Sequence, residues 1–403
     1  MAISGQGRLC AACMGGALSL CAVVPAAGQE REERSLDVRV SATAVHDSNA
    51  ARSGKAQAAA RGLARNEMEF RPSATVSVVL PLDYSSIFAD TQVGYEFHSR
   101  NKRLESERVA ATGGVRLRML GCVVEASVNY ARRLSDLADD FSASPGNVEQ
   151  ISGASGDLRC RPPVGVSPLA SISYKRSRNN LAARRRSDLD SMTVTGGLAY
   201  EQPSLGRLSV IASLSDQSYP HRLLTGSRQD GIQTVSGMLR LERRAGSLLK
   251  GSLSAGYIHV DPDLPGVRGF EGPVYGAELT LAPGGPAAFA LAAERTVEAS
   301  NRLDVSYYRQ DQISLSMRYA LRPRLNMDLR GSWRRRRFAP SPAVTDVTPP
   351  GSDRNYALGG GLRYVLNRRI ELMADLDYQR RNAAIDLFDY DGLRAGLTAT
   401  YRM

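Results

Sequence analysis

Alternation is the feature that most constrains this chain. Its last residues, GLRAGLTATYRM, place Leu393, Ala395, Leu397, Ala399, Tyr401 and Met403 on one face and Arg394, Thr398, Thr400 and Arg402 on the other. Side chains along a strand point to opposite faces in turn, so a period of two specifies a strand with one apolar and one wet face. The pattern recurs through the chain. Val38, Val40, Ala42 and Ala44 oppose Arg39, Ser41 and Thr43, and Ala74, Val76, Val78 and Leu80 oppose Ser73, Thr75 and Ser77. Val124, Ala126, Val128 and Tyr130 oppose Glu125, Ser127 and Asn129, and Ile313, Leu315, Met317 and Tyr319 oppose Ser314, Ser316 and Arg318. Ile370, Leu372, Ala374, Leu376 and Tyr378 oppose Glu371, Asp375 and Asp377. No helical periodicity of any length, low-complexity block or solenoid repeat competes with it.

Such strands suit a soluble sandwich or a membrane barrel, and the connections separate the two. Strands are expected to start near residues 36, 68, 86, 106, 122, 149, 166, 187, 206, 231, 247, 271, 287, 305, 325, 353, 369 and 389. One set of connections is tight, at 81–85, 120–122, 162–165, 203–206, 244–247, 283–286, 321–324 and 367–369. The other is longer and polar, at 47–66, 136–147, 177–186, 219–230, 261–269 and 338–352. Short turns at one end and long loops at the other are the periplasmic and extracellular ends of an outer-membrane barrel, and an even strand count fits it. The expected fold is therefore all-β: a transmembrane, antiparallel, up-and-down β-barrel of about eighteen strands. Tyr95, Tyr130, Tyr174, Tyr257, Trp333 and Tyr378 fall late in odd strands, while Tyr200, Tyr319, Tyr364 and Tyr401 fall late in even ones. This placement predicts two aromatic belts, one at each membrane interface.

The amino terminus agrees with that compartment. Residues 1–28 read as a secretory signal: Arg8, an apolar core over 14–25, then Ala26, Ala27 and Gly28, with cleavage before Gln29 or after Ala26. The core is shorter than the roughly 20 apolar residues a spanning helix needs. A lipoprotein signal ending at Cys21 fits poorly, because Leu20 before it is bulky. Residues 29–403 are then a single barrel domain. No later stretch is a helix long enough to cross a bilayer, so membrane passage requires a closed barrel.

Three of the five cysteines lie in the signal, leaving Cys122 and Cys160. An antiparallel pair centred near residue 141 sets them opposite each other at the periplasmic end. They are either a disulfide or two small apolar lipid-facing residues.

Barrels of this size enclose water. The phase turns Arg39, Arg116, Arg118, Arg159, Arg161, Lys175, Arg240, Lys250, Arg318, Arg330, Arg334, Arg363, Arg394 and Arg402 inward. Asp37, Glu125, Asp157, Glu242, Glu278, Glu294, Asp328, Glu371, Asp375 and Asp377 also turn inward. Two readings stand: a lining of ion pairs, or a basic field favouring anionic solutes. Arg116, Arg118, Arg318, Arg330 and Arg363 are the lumen residues expected to touch a transported polymer. In the run WRRRRF, 333–338, Arg335 points to lipid level within reach of lipopolysaccharide phosphates, whereas Arg334 and Arg336 point to the mouth.

The net charge of +11 is spread along strands rather than gathered on one face, which argues against nucleic acid. Catalysis and cofactors find no support. His98 and Ser99 are adjacent, so strand geometry sends them to opposite faces. RSGK at 52–55 lacks the rest of a phosphate loop, and no His/Cys cluster has zinc spacing.

The stretch LDVRVSATAVHDSNAARS, 36–53, with Asp47-Ser48-Asn49 after His46, resembles the opening of the outer-membrane β-barrel porins associated with exopolysaccharide export. LDYSSIFAD at 82–90 and the closing TATYRM are similar to the same family, although Met403 stands where that family usually ends in Phe. The resemblance implies a wide barrel beside polysaccharide synthesis and export components, serving as the exit for a sugar polymer. It brings no catalytic residues. Other expected partners are outer-membrane lipid, lipopolysaccharide and the barrel insertion machinery. A diffusion porin, general or anion-preferring, is the first alternative, with the Pro-rich 339–351 segment as candidate constriction. A surface-binding or structural barrel with a closed lumen is the second.

Overall fold

The computed structural model describes residues 33–119, 121–135, 146–223, 229–300, 302, 304–341 and 351–403. The expected signal, 1–28, lies outside them. The strands are β1 (Ser35–Asp47), β2 (Glu67–Leu82), β3 (Ser85–His98), β4 (Ser106–Met119), β5 (Cys122–Leu134) and β6 (Val148–Cys160). Next come β7 (Gly165–Asn179), β8 (Leu189–Gln202), β9 (Gly206–Leu223), β10 (Gln229–Ala245), β11 (Leu249–Pro262) and β12 (Phe270–Leu281). The last six are β13 (Ala287–Ala299), β14 (Val305–Arg322), β15 (Leu325–Pro340), β16 (Ser352–Val365), β17 (Ile370–Ala383) and β18 (Tyr390–Arg402). Every start lies within two residues of the expected position. Each strand pairs antiparallel with the next and β1 also pairs with β18, so the 18-stranded sheet closes.

The terminal stretch makes that closure. Val40 lies opposite Tyr401 and Ser41 opposite Thr400. On the inner face, hydroxyls meet across the seam, Ser41 with Thr400 at 2.9 Å and Thr43 with Thr398 at 3.0 Å. Arg402 Nε donates to Asp37 at 2.7 Å, and the Met403 amide donates to the Val38 carbonyl at 2.9 Å. The outer face of β18 is apolar, with Leu397 66% exposed. The same holds around the wall, where Leu36, Val128, Leu198, Val210 and Leu358 are among the most exposed side chains. A polar inside beneath a greasy outside is the inverse of a soluble domain and the signature of a barrel solvated by lipid.

The two ends differ as the loop lengths require. The tight end needs backbone that only glycine gives freely. Gly206, the first residue of β9, has φ +98°, and a Cβ there would stand 2.2 Å from the Glu242 carbonyl. At the other end, the β1–β2 connection carries a short helix, α1 (Lys55–Ala60). Several polar stretches expected as loops are partly strand. β7 runs to Asn179, β9 to Leu223 and β15 to Pro340. Ser218 and Tyr219 still pair with Gly231 and Asp230, because polar side chains at this end meet other loops and keep the ladder going.

Cys122 and Cys160 pair directly and are joined by a disulfide. Cys160 is buried, and its carbonyl accepts bonds from Ser167 Oγ at 3.0 Å and Arg207 Nη1 at 3.2 Å. Of the residues expected in belts, Tyr130, Tyr174, Tyr257, Tyr378, Tyr200, Tyr364 and Tyr401 are exposed on the outer wall. Tyr95, Trp333 and Tyr319 are half-covered by neighbours. Trp333 lies directly opposite Tyr356, and Tyr95 packs on Phe97 with centroids 4.6 Å apart.

Two measurements test this arrangement. Thiol titration of denatured, unreduced protein is expected to find no free thiol from Cys122 and Cys160; two free thiols would refute the bridge. Leu397→Arg is expected to cost about 2–4 kcal/mol, as for a base on the lipid face near mid-bilayer. Urea unfolding from phospholipid vesicles reads this loss, and Thr398→Ser, on the inner face, should be nearly silent.

Candidate functional site

The lumen is the site, and its wall is built by strand phase. Neutral hydroxyls form cross-strand pairs at Ser41–Thr400, Thr43–Thr398, Ser127–Ser155, Thr193–Ser215 and Thr195–Ser213, all near 3 Å. Charges sit among them. Arg116 Nε donates to Glu125 at 2.9 Å, and Arg159 lies 3.8 Å from the same carboxylate. Glu125 is directly opposite Asp157, so these two arginines offset a like-charge pair. Arg318 bonds Asp328 at 3.1 Å, and Arg363 lies 3.5 Å from Glu371. Arg161 and Arg240 both reach Glu242 at 3.2 Å.

Arg330 spans β16 to reach Asp377 on β17. Its Nη2 meets the two carboxylate oxygens at 2.5 and 2.6 Å, and its Nε meets one at 3.0 Å. Gly359 lies in register between them, and a Cβ there would come within 2.1 Å of Asp377 Oδ1 and 2.7 Å of Arg330 Nε. The missing side chain is what lets the pair form. Four of the five arginines expected to touch a polymer are thus held by carboxylates. The fifth, Arg118, lies at the end of β4 with its amide bonded to the Tyr84 carbonyl. The lining is mixed, which weakens the case for a strong anion-selective field.

Nearer the long-loop end lies a network of which the inward residues expected from strand phase included only Arg394. Arg71 pairs with Glu69 and, at 3.2 Å, with Glu96, which also takes Arg108 at 2.8 Å. Arg394 lies 3.3 Å from Asp47 and 3.7 Å from Glu69, and Arg52 bonds Asp47 at 2.7 Å. Glu67, Glu69 and Arg71 alternate with Met68, Phe70 and Pro72, a signal legible in the sequence. The Asp47-Ser48-Asn49 motif anchors this network. Asn49 donates its amide to Asp47 at 2.8 Å and its side chain to the Asp391 carbonyl at 2.7 Å, while Ser48 Oγ accepts from the Leu393 amide at 2.8 Å. The motif ties the first loop to the last strand.

His98 and Ser99 do not diverge as alternation suggested, because β3 ends at His98. Both approach Glu67: Ser99 Oγ donates to it at 2.7 Å, and His98 Nδ1 lies 3.9 Å away. The hydroxyl therefore serves a carboxylate rather than the imidazole.

At the mouth, Ser300 and Arg302, between β13 and β14, lie to the lumen side and bridge opposite walls. Toward β9, Tyr219 donates its hydroxyl to the Ser300 carbonyl at 2.6 Å. Arg222, stacked 3.7 Å over Tyr219, donates to the carbonyls of Ser300, Arg302 and Arg186. Toward the other wall, the Arg302 guanidinium lies over Phe338 of β15 and over Phe388, between β17 and β18. Beside it, Arg336 and the fully buried Arg381 both hold Asp353, at 2.7 and 2.8 Å. An apolar cluster of Ile232, Ile258, Val260, Val274 and Tyr307 supports the bridge from β10–β14. Ala51, Ala58 and Leu63 of the first loop pack on Leu104 in the same way. The proposed constriction at 339–351 falls mostly on 342–350, outside the described residues. The bridge could not be foreseen, since 299–305 reads as an ordinary connection.

Residues 215–403, from β9 to the end, match the family described as "Putative beta-barrel porin 2". The solved structure of OccK2 (OpdF) from Pseudomonas aeruginosa superposes with a TM-score of 0.50 at 11% identity, covering 92% of this chain and 98% of that one. OccAB3 from Acinetobacter baumannii gives 0.50 at 9% identity, covering 91% and 99%. Such identities show a shared fold alone. No curated protein matches. Fold and family match together make this a barrel of the bacterial outer membrane.

The Arg330–Asp377 pair generates a prediction for conduction. In planar bilayers under a salt gradient, Asp377→Asn should move the reversal potential toward anion preference and Arg330→Gln toward cations. Gly359→Val should reproduce the uncoupled pair without changing charge. Identical potentials in all three would show that the pair does not face the conducting path.

Proposed function

We propose that this outer-membrane β-barrel is a passive, non-catalytic pore for small hydrophilic solutes. The observation that carries this reading is the bridge of Ser300 and Arg302 between Tyr219 and Arg222 on one wall and Phe338 and Phe388 on the other. An inward-folded loop narrows a wide barrel and sets a size limit, which suits small solutes. The charged wall is mostly self-paired, so it passes solutes of either sign and offers hydrogen bonds in place of hydration.

Exit of an exopolysaccharide is the second reading. The neutral hydroxyl pairs along the wall support it, because they can exchange hydrogen bonds with sugar hydroxyls without holding them tightly. It requires the bridge to swing aside, and it leaves the driving force to synthesis at the inner membrane.

Proteoliposome swelling tests the first reading. Monosaccharides should enter, and the size limit should rise when Tyr219→Phe and Arg222→Gln together release the bridge. If neither protein admits any sugar, the lumen is closed and the barrel is structural. In cells lacking the protein, impaired solute uptake with unchanged surface polysaccharide supports a diffusion pore. Lost polysaccharide with normal uptake supports the second reading.

A further inference from the structure

The outer rim carries charges on its lipid-facing side, and their pairing differs around the barrel. Over β4–β8 they meet opposite charges, Arg132 with Glu107 at 3.3 Å and Arg178 and Arg176 with Asp190 at 2.7 and 3.2 Å, and over β11–β12 Glu271 is hydrogen-bonded to His259 at 2.8 Å. Over β14–β17 arginine faces arginine. Arg309 lies directly opposite Arg337, and Arg335 opposite Arg354. The outward phase of Arg335, Arg337 and Arg354 is set by the buried residues they alternate with, Arg336 and Asp353, and by Trp333 and Tyr356, whose face they continue, whereas the Arg309 guanidinium lies over the Phe270 ring at 5.4 Å. Arg380, next to Tyr378 in the same phase, extends the patch.

Like charges directly opposed across a strand pair destabilise it. Two acids border the patch. Asp311, opposite Arg335, is bonded to Arg295 at 2.5 Å, and Asp391, opposite Arg380, lies 3.6 Å from Arg65. Among the described residues, no ion pair neutralises Arg309, Arg335, Arg337 or Arg354. The sequence thus maintains a repulsive cluster where strands could have carried pairs, as they do elsewhere on the same rim.

Height identifies what meets it. Arg335 and Arg354 stand two residues beyond Trp333 and Tyr356, about 7 Å at the usual rise per strand residue. Aromatic side chains mark the interface, so the guanidinium groups lie at headgroup level of the outer leaflet. Below them Ile313, Leu315 and Leu358 are exposed, with Gly331 directly between the last two in register, leaving a shallow apolar strip. Cations above and an acyl-wide strip below fit a phosphorylated glycolipid. Guanidinium binds phosphate through paired, charge-assisted hydrogen bonds. Three adjacent strands spread the arginines over about 10 Å, room for two phosphates rather than one.

We infer that the outer face of β14–β17 is a binding site for the diphosphorylated lipid A of lipopolysaccharide, with Arg335, Arg337 and Arg354 holding its phosphates. The site lies outside the lumen and is independent of what the pore conducts.

Native mass spectrometry of the purified barrel, titrated with diphosphoryl lipid A, dephosphorylated lipid A or phosphatidylglycerol, tests it. Diphosphoryl lipid A should bind roughly tenfold more tightly than the other two. The triple variant R335Q/R337Q/R354Q should lose roughly that factor, about 1.4 kcal/mol, while R176Q, on the paired part of the rim, should lose none. Heat-modifiable gel mobility checks folding; if the triple variant does not fold, R337Q and R354Q singly should each show part of the loss. Equal binding of the three lipids, or unchanged affinity in the folded variants, would overturn the site. So would a dimer formed through this face that lipid A fails to dissociate.

Discussion

Every other feature of this molecule depends on the hydrogen-bonded seam between β1 and β18. In lipid no water is available to backbone amides and carbonyls, so an open sheet edge is untenable and the first and last strands must find each other. The chain marks both with the same alternation, so that Val40 meets Tyr401 on the greasy side and Ser41 meets Thr400 on the wet side. A slip of one residue would put Arg402 into lipid and Tyr401 into water, which fixes the register strongly. At the outer end, Asp47, Ser48 and Asn49 fasten the first loop to β18.

Closure creates an interior, and the interior is organised by charge. Arginines outnumber what a neutral wall would need, yet most reach a carboxylate one or two strands away. Exposed pairs of this kind contribute little to stability. Their consequence is electrostatic: they convert a basic sequence into a lining of local dipoles. The nearly enclosed pairs at the mouth, such as Arg336 and Arg381 on Asp353, are different, because losing one partner would strand a buried charge. They stiffen the layer against which the β13–β14 bridge rests. The rim outside the barrel follows the opposite rule over β14–β17, where unneutralised arginines face the outer leaflet. Inside and outside therefore use the same residue for two purposes, separated by a single step along the strand: Arg336 holds a loop layer and Arg335 faces the membrane.

Much of this was legible from alternation. Strand number, strand starts, closure, the inward and outward faces, and the opposition of Cys122 to Cys160 all follow from a period of two and from where the turns fall. The inward arginines were legible as inward, but their partners were not. Arg330 finds Asp377 across an intervening strand only because Gly359 has no side chain, and neither fact appears in the spacing of any one segment. The polar outer ends of β7, β9 and β15 were misread as loops, since polarity marks water or polar contact and does not distinguish them. His98 and Ser99 show the same limit: alternation holds within a strand and lapses one residue after it ends.

By itself, then, the sequence determined a closed barrel with a wet lumen and a greasy wall, because each strand encodes its two faces locally and lipid permits no open edge. Tertiary structure alone decided what fills the mouth. Tyr219, Ser300, Phe338 and Phe388 are brought together by the curvature of a closed eighteen-stranded sheet, which turns residues distant in sequence toward a common axis. The arginine patch was decided in the same way, since its repulsion exists only once the registers of β14, β15 and β16 set one guanidinium opposite another.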